Sequence, residues 1–316
     1  MPDHIHYQDL GFGISCIDTM LQRQGLAACY LIEHEGMAGF IDTGTSNSIP
    51  ILLEVLKRKG INREQVAYVM PTHVHLDHAG GSGGLMREFP NAVLLAHPRG
   101  ARHLIDPGKL IKGSLAVYGE AAFKAMFGEL VPVDADRVRE MGDEFEIDFN
   151  GRKLVFLDTP GHARHHYCVF DELSAGLFTG DTFGTSYPEL NLGKGRFIFP
   201  PSTPVQFDPA AWQNTLDRLL TYKPERVFLT HFGMHEEVDV LCKLLKQAIR
   251  DYAETAQEYA EAENRSDRIT QSILQASVNY LLDQNCGIDV ATIHHLIQRD
   301  MELNAQGLDH WLTTLD

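Results

Sequence analysis

Five apolar runs in this chain end on an aspartate or a histidine, and that recurrence limits the fold more than any other feature. "GFID" ends on Asp42, "AYVMPTH" on His73, "LVFLDTPGH" on His162, "AGLFTGD" on Asp181 and "RVFLTH" on His231. Short apolar runs bounded by turn formers read as buried strands. The segments between them carry the helical period instead. In "SIPILLEVLKRKG" (48–60) apolar residues recur at helical spacing, basic residues come late and Gly60 follows, which is how a helix stops. "AAWQNTLDRLLTY" (210–222) precedes the last strand in the same way. Residues 27–42 fold back around "HEGM" and residues 145–162 around Asn150-Gly151, a good hairpin signal. Strands alternating with helices predict an α/β layer fold. In such folds ligands gather outside the strand ends, where loops converge.

Past Glu236 the strand signals disappear. "VDVLCKLLKQAIRDYAETAQEYAEAE" has a helical period, as does "SDRITQSILQASVNYLLDQ" from a cap at Ser266, and a third helical run breaks at Gly307. The chain is therefore expected to divide into an α/β domain over 1–235 and an all-α extension over 236–316. Three roles are open to the extension: packing on the sheet domain, forming a homodimer surface, or covering the site.

Composition narrows the partners. A formal net charge of −16 argues against nucleic acid, whose phosphates need many Lys and Arg, and against an anionic membrane surface. No apolar run approaches the roughly 20 residues of a membrane span, and the N-terminal "MPDHIHYQDLGFGISC" lacks the basic start and apolar run of a secretory signal. The five cysteines are scattered with no CxxC pair. Reduced thiols, a cytoplasmic location and a small-molecule substrate are the expectations.

Of the sixteen histidines, His4 and His6 are expected to be solvated, and His34, His97, His103 and His310 stand singly in surface or packing roles. "PTHVHLDHAGG" (71–81) is different. In an extended segment residues two apart face the same way, so His73 and His75 can bind one ion together. Asp77 and His78 follow where the chain turns into a helix, and their diverging side chains can address a second. Imidazole and carboxylate suit Zn, Fe and Mn. Burying several imidazoles without a charge partner is costly, which disfavours a purely structural cluster.

Two long insertions interrupt the pattern, at 99–135 and 182–209. Long loops in a compact domain tend to be functional, and both follow strand ends, so both are expected to overhang the site. They carry Arg99, Arg102, Lys109, Lys112, Lys194 and Arg196, with Tyr118, Phe183, Tyr187, Phe197 and Phe199. A pocket for a small, partly anionic substrate and ordinary loop solubility explain this equally well.

Taken in order, Asp42 in "IDTG", "THVHLDH" at 72–78, His162 in "TPGH", Asp181 in "TGDT" and His231 in "LTHFG" resemble the metallo-β-lactamase superfamily over about residues 1–235. The resemblance implies an αββα sandwich with metals at one edge. It implies His73, His75 and His162 as ligands of a first ion, Asp77, His78 and His231 of a second, and Asp181 as the bridge. Asp42 would support the ligands from behind. His166 fits the family's GHxxxH position, as a ligand support or a packed strand histidine. Two divalent ions about 3.5–4 Å apart would share a hydroxide as nucleophile, with zinc ahead of iron and manganese. Asp77 would also assist proton transfer. Tyr187 would donate to the oxyanion or leaving group, and Tyr118 is a weaker choice for the same task.

Departures within the family narrow the activity. The true β-lactamases lack an aspartate bridge, so Asp181 argues against antibiotic hydrolysis. Flavodiiron proteins place glutamate where His75 stands. The nucleases usually carry basic arms or extra domains, for which this sequence shows no signal. The remaining group resembles glyoxalase II, lactonases, thioesterases and small phosphodiesterases or phosphotriesterases. Hydrolysis of a small ester, thioester or lactone is the expected activity, with a phosphodiester or phosphotriester as runner-up. A mono-iron persulfide dioxygenase and a non-catalytic regulatory or binding protein are the alternatives outside hydrolysis.

Overall fold

The computed structural model describes residues 5–191, 195–202 and 206–315, so His4 and Lys194 lie outside the described residues. Among these, one sheet runs in the order β1 (Tyr7–Asp9), β2 (Ile14–Asp18), β3 (Ala28–His34), β4 (Met37–Ile41), β5 (Val66–Met70), β6 (Val93–Ala96) and β7 (Val138–Glu140). Strands β1 to β4 pair antiparallel and β4 to β7 pair parallel. The change follows from the connections, since parallel neighbours need a crossover. α1 (Ile49–Lys59) links β4 to β5, and α2 (Leu76–Ala79) with α3 (Ser82–Glu88) links β5 to β6. The 99–135 insertion is mostly not a loop: it folds as α4 (Pro98–Ile105), α5 (Gly108–Tyr118) and α6 (Glu120–Phe127) before β7.

The second sheet contains β8 (Phe145–Phe149), β9 (Arg152–Asp158), β10 (Tyr167–Asp171), β11 (Gly176–Gly180), β12 (Arg226–Leu229) and β13 (Gly233–His235), in the spatial order β13-β12-β11-β10-β9-β8. The β8–β9 hairpin turns at Asn150 (φ 54°) and Gly151 (φ 94°), the left-handed pair that a tight two-residue turn requires. β9 and β11 both run antiparallel to β10, and β12 runs parallel to β11. The C-terminal ends of β9, β11 and β12 therefore share one edge of the sheet.

Side-chain alternation explains the layering. Ala28, Tyr30 and Ile32 of β3 face the second sheet and form a common core with Phe149, Phe156, Tyr167, Phe178 and Phe228. Cys29 and Leu31, pointing the other way, pack with Leu52 and Val55 of α1, Leu85 of α3 and Leu104 of α4. A buried ion pair missed in the sequence, Arg152 with Asp171, joins β9 to β10.

By compactness the chain divides into two units. One holds both sheets and α1 to α6 (Met1–Asp158, His165–Gly180, Glu225–His235), and the other comprises Thr159–Arg164, Asp181–Pro224 and Glu236–Asp316. The second unit is built from α7 (Pro209–Thr221), α8 (Val238–Glu258), α9 (Arg265–Asp283) and α10 (Val290–Leu312). Its core includes Trp212, Leu216, Leu241, Leu245, Ile249, Ile273, Ile297 and Met301. The C-terminal helices differ from expectation in two details. α9 starts one residue before Ser266, after Asn264. α10 runs unbroken through Gly307, which is buried within it, and begins where the Asp289 side chain caps the Thr292 N–H. No helix of the described residues is long and apolar enough to cross a membrane.

Candidate metal centre

The centre begins with Asp42, which leaves β4 in the left-handed region (φ 57°) and is fully buried. Its Oδ1 accepts from the Thr72 N–H at 2.7 Å and the Thr72 hydroxyl at 2.9 Å. Its Oδ2 accepts from His78 Nδ1 at 2.8 Å and the Thr230 hydroxyl at 2.7 Å. A carboxylate without solvent requires such partners. One residue thus ties together the strand end before His73, the helix start at His78 and the strand end before His231. The next residue continues the grip, since the Thr43 N–H and hydroxyl both donate to the His78 carbonyl.

These bonds fix the ring tautomers. His78 commits its Nδ1 proton to Asp42. His231 donates from Nδ1 to the Leu26 carbonyl at 2.7 Å. The Thr72 hydroxyl proton goes to Asp42, so its oxygen accepts from His73 Nδ1 at 3.2 Å. Each ring then turns Nε2 inward. His78 Nε2 lies 3.5 Å and His231 Nε2 3.3 Å from Asp77 Oδ2, and donor atoms of the three residues all fall within 4.8 Å of one another. His73 Nε2 stands 2.7 Å from His75 Nδ1.

The second unit repeats the arrangement. His162 donates from Nδ1 to the Pro201 carbonyl at 2.6 Å and places Nε2 3.2 Å from Asp181 Oδ2. Its loop is anchored to α7. Thr215 donates to the Pro160 carbonyl and Trp212 Nε1 to the Thr182 carbonyl, and the Trp212 ring meets the His162 ring edge-on at 5.8 Å. Gly161 (φ 139°) explains its place in "TPGH": a Cβ there would lie 2.4 Å from Trp212 Cβ. Gly180 in "TGDT" (φ 47°) is held as tightly, since a Cβ would come within 2.5 Å of His166 Nε2 and of Thr72 Oγ1.

The donor set fits divalent ions. Imidazoles with one nitrogen held by a carbonyl, hydroxyl or carboxylate and the other turned toward further donors are what ligand orientation demands, and the mixture of nitrogen and carboxylate suits zinc, iron or manganese. Thiolate chemistry has no support at three of the five cysteines. Burial pushes the Cys16 thiol up to about 12, the Cys242 thiol up to about 11 and Cys29 well above its ordinary value.

His166 is fully buried, its ring 4.8 Å from that of His73. Tyr118 is half-buried on Phe127. Tyr187 is 2% exposed and donates its hydroxyl to Asp300, so the proton expected to reach an oxyanion is already placed. One histidine near the centre was missed. His165 sets its ring 5.4 Å from His75 and 6.1 Å from His73; the doubled "HH" was its only signal. His97, expected in a surface or packing role, caps α4 through Nδ1 and donates from Nε2 to Asp158 at 3.0 Å.

Residues 23–231 match the model of the metallo-beta-lactamase superfamily, and the chain belongs to that superfamily. It is similar to the metallo-beta-lactamase fold-containing protein ST1585 of Sulfurisphaera tokodaii, 28% identical over 218 residues that cover 66% of this chain and 74% of that one. The ST1585 crystal structure matches with a TM-score of 0.59 over 74% of this chain and 85% of that chain. An N-acyl homoserine lactonase of Bacillus thuringiensis is 23% identical over 247 residues, 70% of this chain and 86% of that one. A metallo-beta-lactamase family protein from Thermus thermophilus, TTHA1429, shares the fold over 96% of this chain and 94% of that one, with a TM-score of 0.68 at 18% identity. The chain is a hydrolase of this superfamily.

Proposed function

We propose that this chain hydrolyses a small ester, thioester or lactone at a centre of two divalent ions, with zinc the first candidate. His73, His75 and His162 would hold one ion, Asp77, His78 and His231 the other, with Asp181 available to both. The observation that carries the reading is the convergence of His78 and His231 on Asp77, each ring fixed from behind by Asp42 or Leu26. When bound, the ions supply Lewis acidity at the substrate carbonyl and lower the pKa of water, so that hydroxide is available at neutral pH.

The protein's own groups do the rest. Asp42, Leu26 and Pro201 hold the imidazoles in orientation, so little reorganisation accompanies reaction. Asp77 is part-exposed among buried neighbours and moves the proton between water and leaving group at its carboxylate. Tyr187 secures the segment after Asp181. The lactonase relative supports a carbonyl substrate. A phosphodiester is the second reading, favoured by the exposed cations Arg99, Arg102, Lys109 and Lys112 on α4 and α5. Burial, and then the charges of Arg102 and Lys109, push His103 below its ordinary value, with Asp106 opposing them.

Elemental analysis of purified protein, paired with lactone, thioester, ester and phosphodiester substrates, tests this. Two ions per chain are expected, with turnover of carbonyl esters that a chelator abolishes and zinc restores. Turnover of phosphodiesters alone, or one iron per chain with oxygen uptake on a persulfide, would overturn it.

A further inference from the structure

The segment after Asp181 reaches α10 at two points one helical turn apart. The Tyr187 hydroxyl donates to the Asp300 carboxylate at 3.2–3.3 Å. Asn304 Oδ1 accepts from the Ser202 N–H at 2.8 Å, and the Ser202 hydroxyl lies 3.1 Å from both Asn304 Oδ1 and the Asn304 carbonyl. Asn304 is 2% exposed and Ser202 3%. The Ser202 N–H belongs to the same planar peptide group as the Pro201 carbonyl, and that carbonyl accepts from His162 Nδ1. A single rigid plane therefore has Asn304 at one end and His162 at the other. Hydrogen bonds in such a chain polarise and orient one another, the more so without solvent.

We propose that Asn304 is a positioning residue for His162, acting through the Pro201–Ser202 peptide, and that the helical extension thereby supports the metal centre. The inference rests on the reading of His162 as a ligand. The Asn304 side chain fixes the rotation of the peptide plane, and the plane fixes the ring.

The test uses the full-length metal-free protein titrated with cobalt(II), followed by visible absorption, with zinc affinity measured by chelator competition and the thermal midpoint taken on the same samples. Asn304→Leu removes the acceptor at similar volume. It is expected to weaken one of the two ions about tenfold, as loss of a ligand's support does, and to change that ion's cobalt spectrum. Asn304→Asp keeps the acceptor and restores the spectrum. Ile297→Ala, in the core of α10, lowers the thermal midpoint without moving affinity. If Asn304→Leu does not fold, Asn304→Ala removes the same acceptor with less bulk, and a loss of about tenfold is expected of it as well. Wild-type affinity in Asn304→Leu, or in Asn304→Ala where that variant stands in, overturns the proposal, as does an equal loss in Ile297→Ala. His162→Ala separates the two levels. If it loses one ion while Asn304→Leu is silent, only the positioning role fails; if it binds both ions normally, the ligand reading fails.

Discussion

The segments that follow β6 and β11 look alike in sequence, long with scattered cations and aromatics, yet they are held in opposite ways. The first coils into α4 to α6 and closes on itself, with Phe123 and Phe127 packed on Leu76 of the metal motif and Leu110, Leu115 and Met126 around them. The second has little regular structure among its described residues beyond one short 3-10 turn and a bridge between Thr185 and Phe199. It is held by directed bonds: Tyr187 to Asp300, Ser202 to Asn304, and Tyr280 to the Arg196 carbonyl at 2.8 Å. Apolar packing is additive and tolerant of small shifts, whereas directed bonds fix atoms in place at modest net energy. The first segment is built for bulk and the second for registration.

Substitutions can break that contrast. Phe127→Ala is expected to cost the most, about 3 kcal/mol in urea unfolding, because it empties a satellite core with few other large side chains. Tyr187→Phe removes a bond to a charged acceptor and should cost about 2 kcal/mol by the same measurement. Tyr280→Phe should cost about 0.5 kcal/mol, since the partner is a neutral carbonyl in a part-exposed place. If Tyr187→Phe proves costlier than Phe127→Ala, the second segment carries stability as well as position, and the contrast is wrong.

What could be read in the sequence follows the same division. Strand ends at Asp42, His73, Asp181 and His231 were visible because apolar runs have a period and the ligand types are few. The helices of the 99–135 insertion were underestimated, although "EAAFKAMF" carries their apolar pattern, because Gly108, Gly113 and Gly119 around them read as loop. Tyr187 was legible as a polar aromatic beside the site, but its partner Asp300 lies 113 positions away. No local pattern encodes that distance. The Asn304 contact with Ser202, 102 positions apart, was invisible for the same reason. Periodic burial is written locally; a hydrogen-bond partner is chosen by the finished fold.

The clasp at Asp42 also orders events in time. Its ties to Thr72 and His78 span 30 and 36 positions, but Thr230 reaches it across 188, and His231 is oriented by Leu26 across 205. During synthesis the histidine-rich turn at 73–78 emerges while the chain still lacks "RVFLTH". Such long-range closure is slow. For that interval the nascent chain presents an open half-set of donors, and a chain stopped before residue 231 would lack the imidazole that meets Asp77.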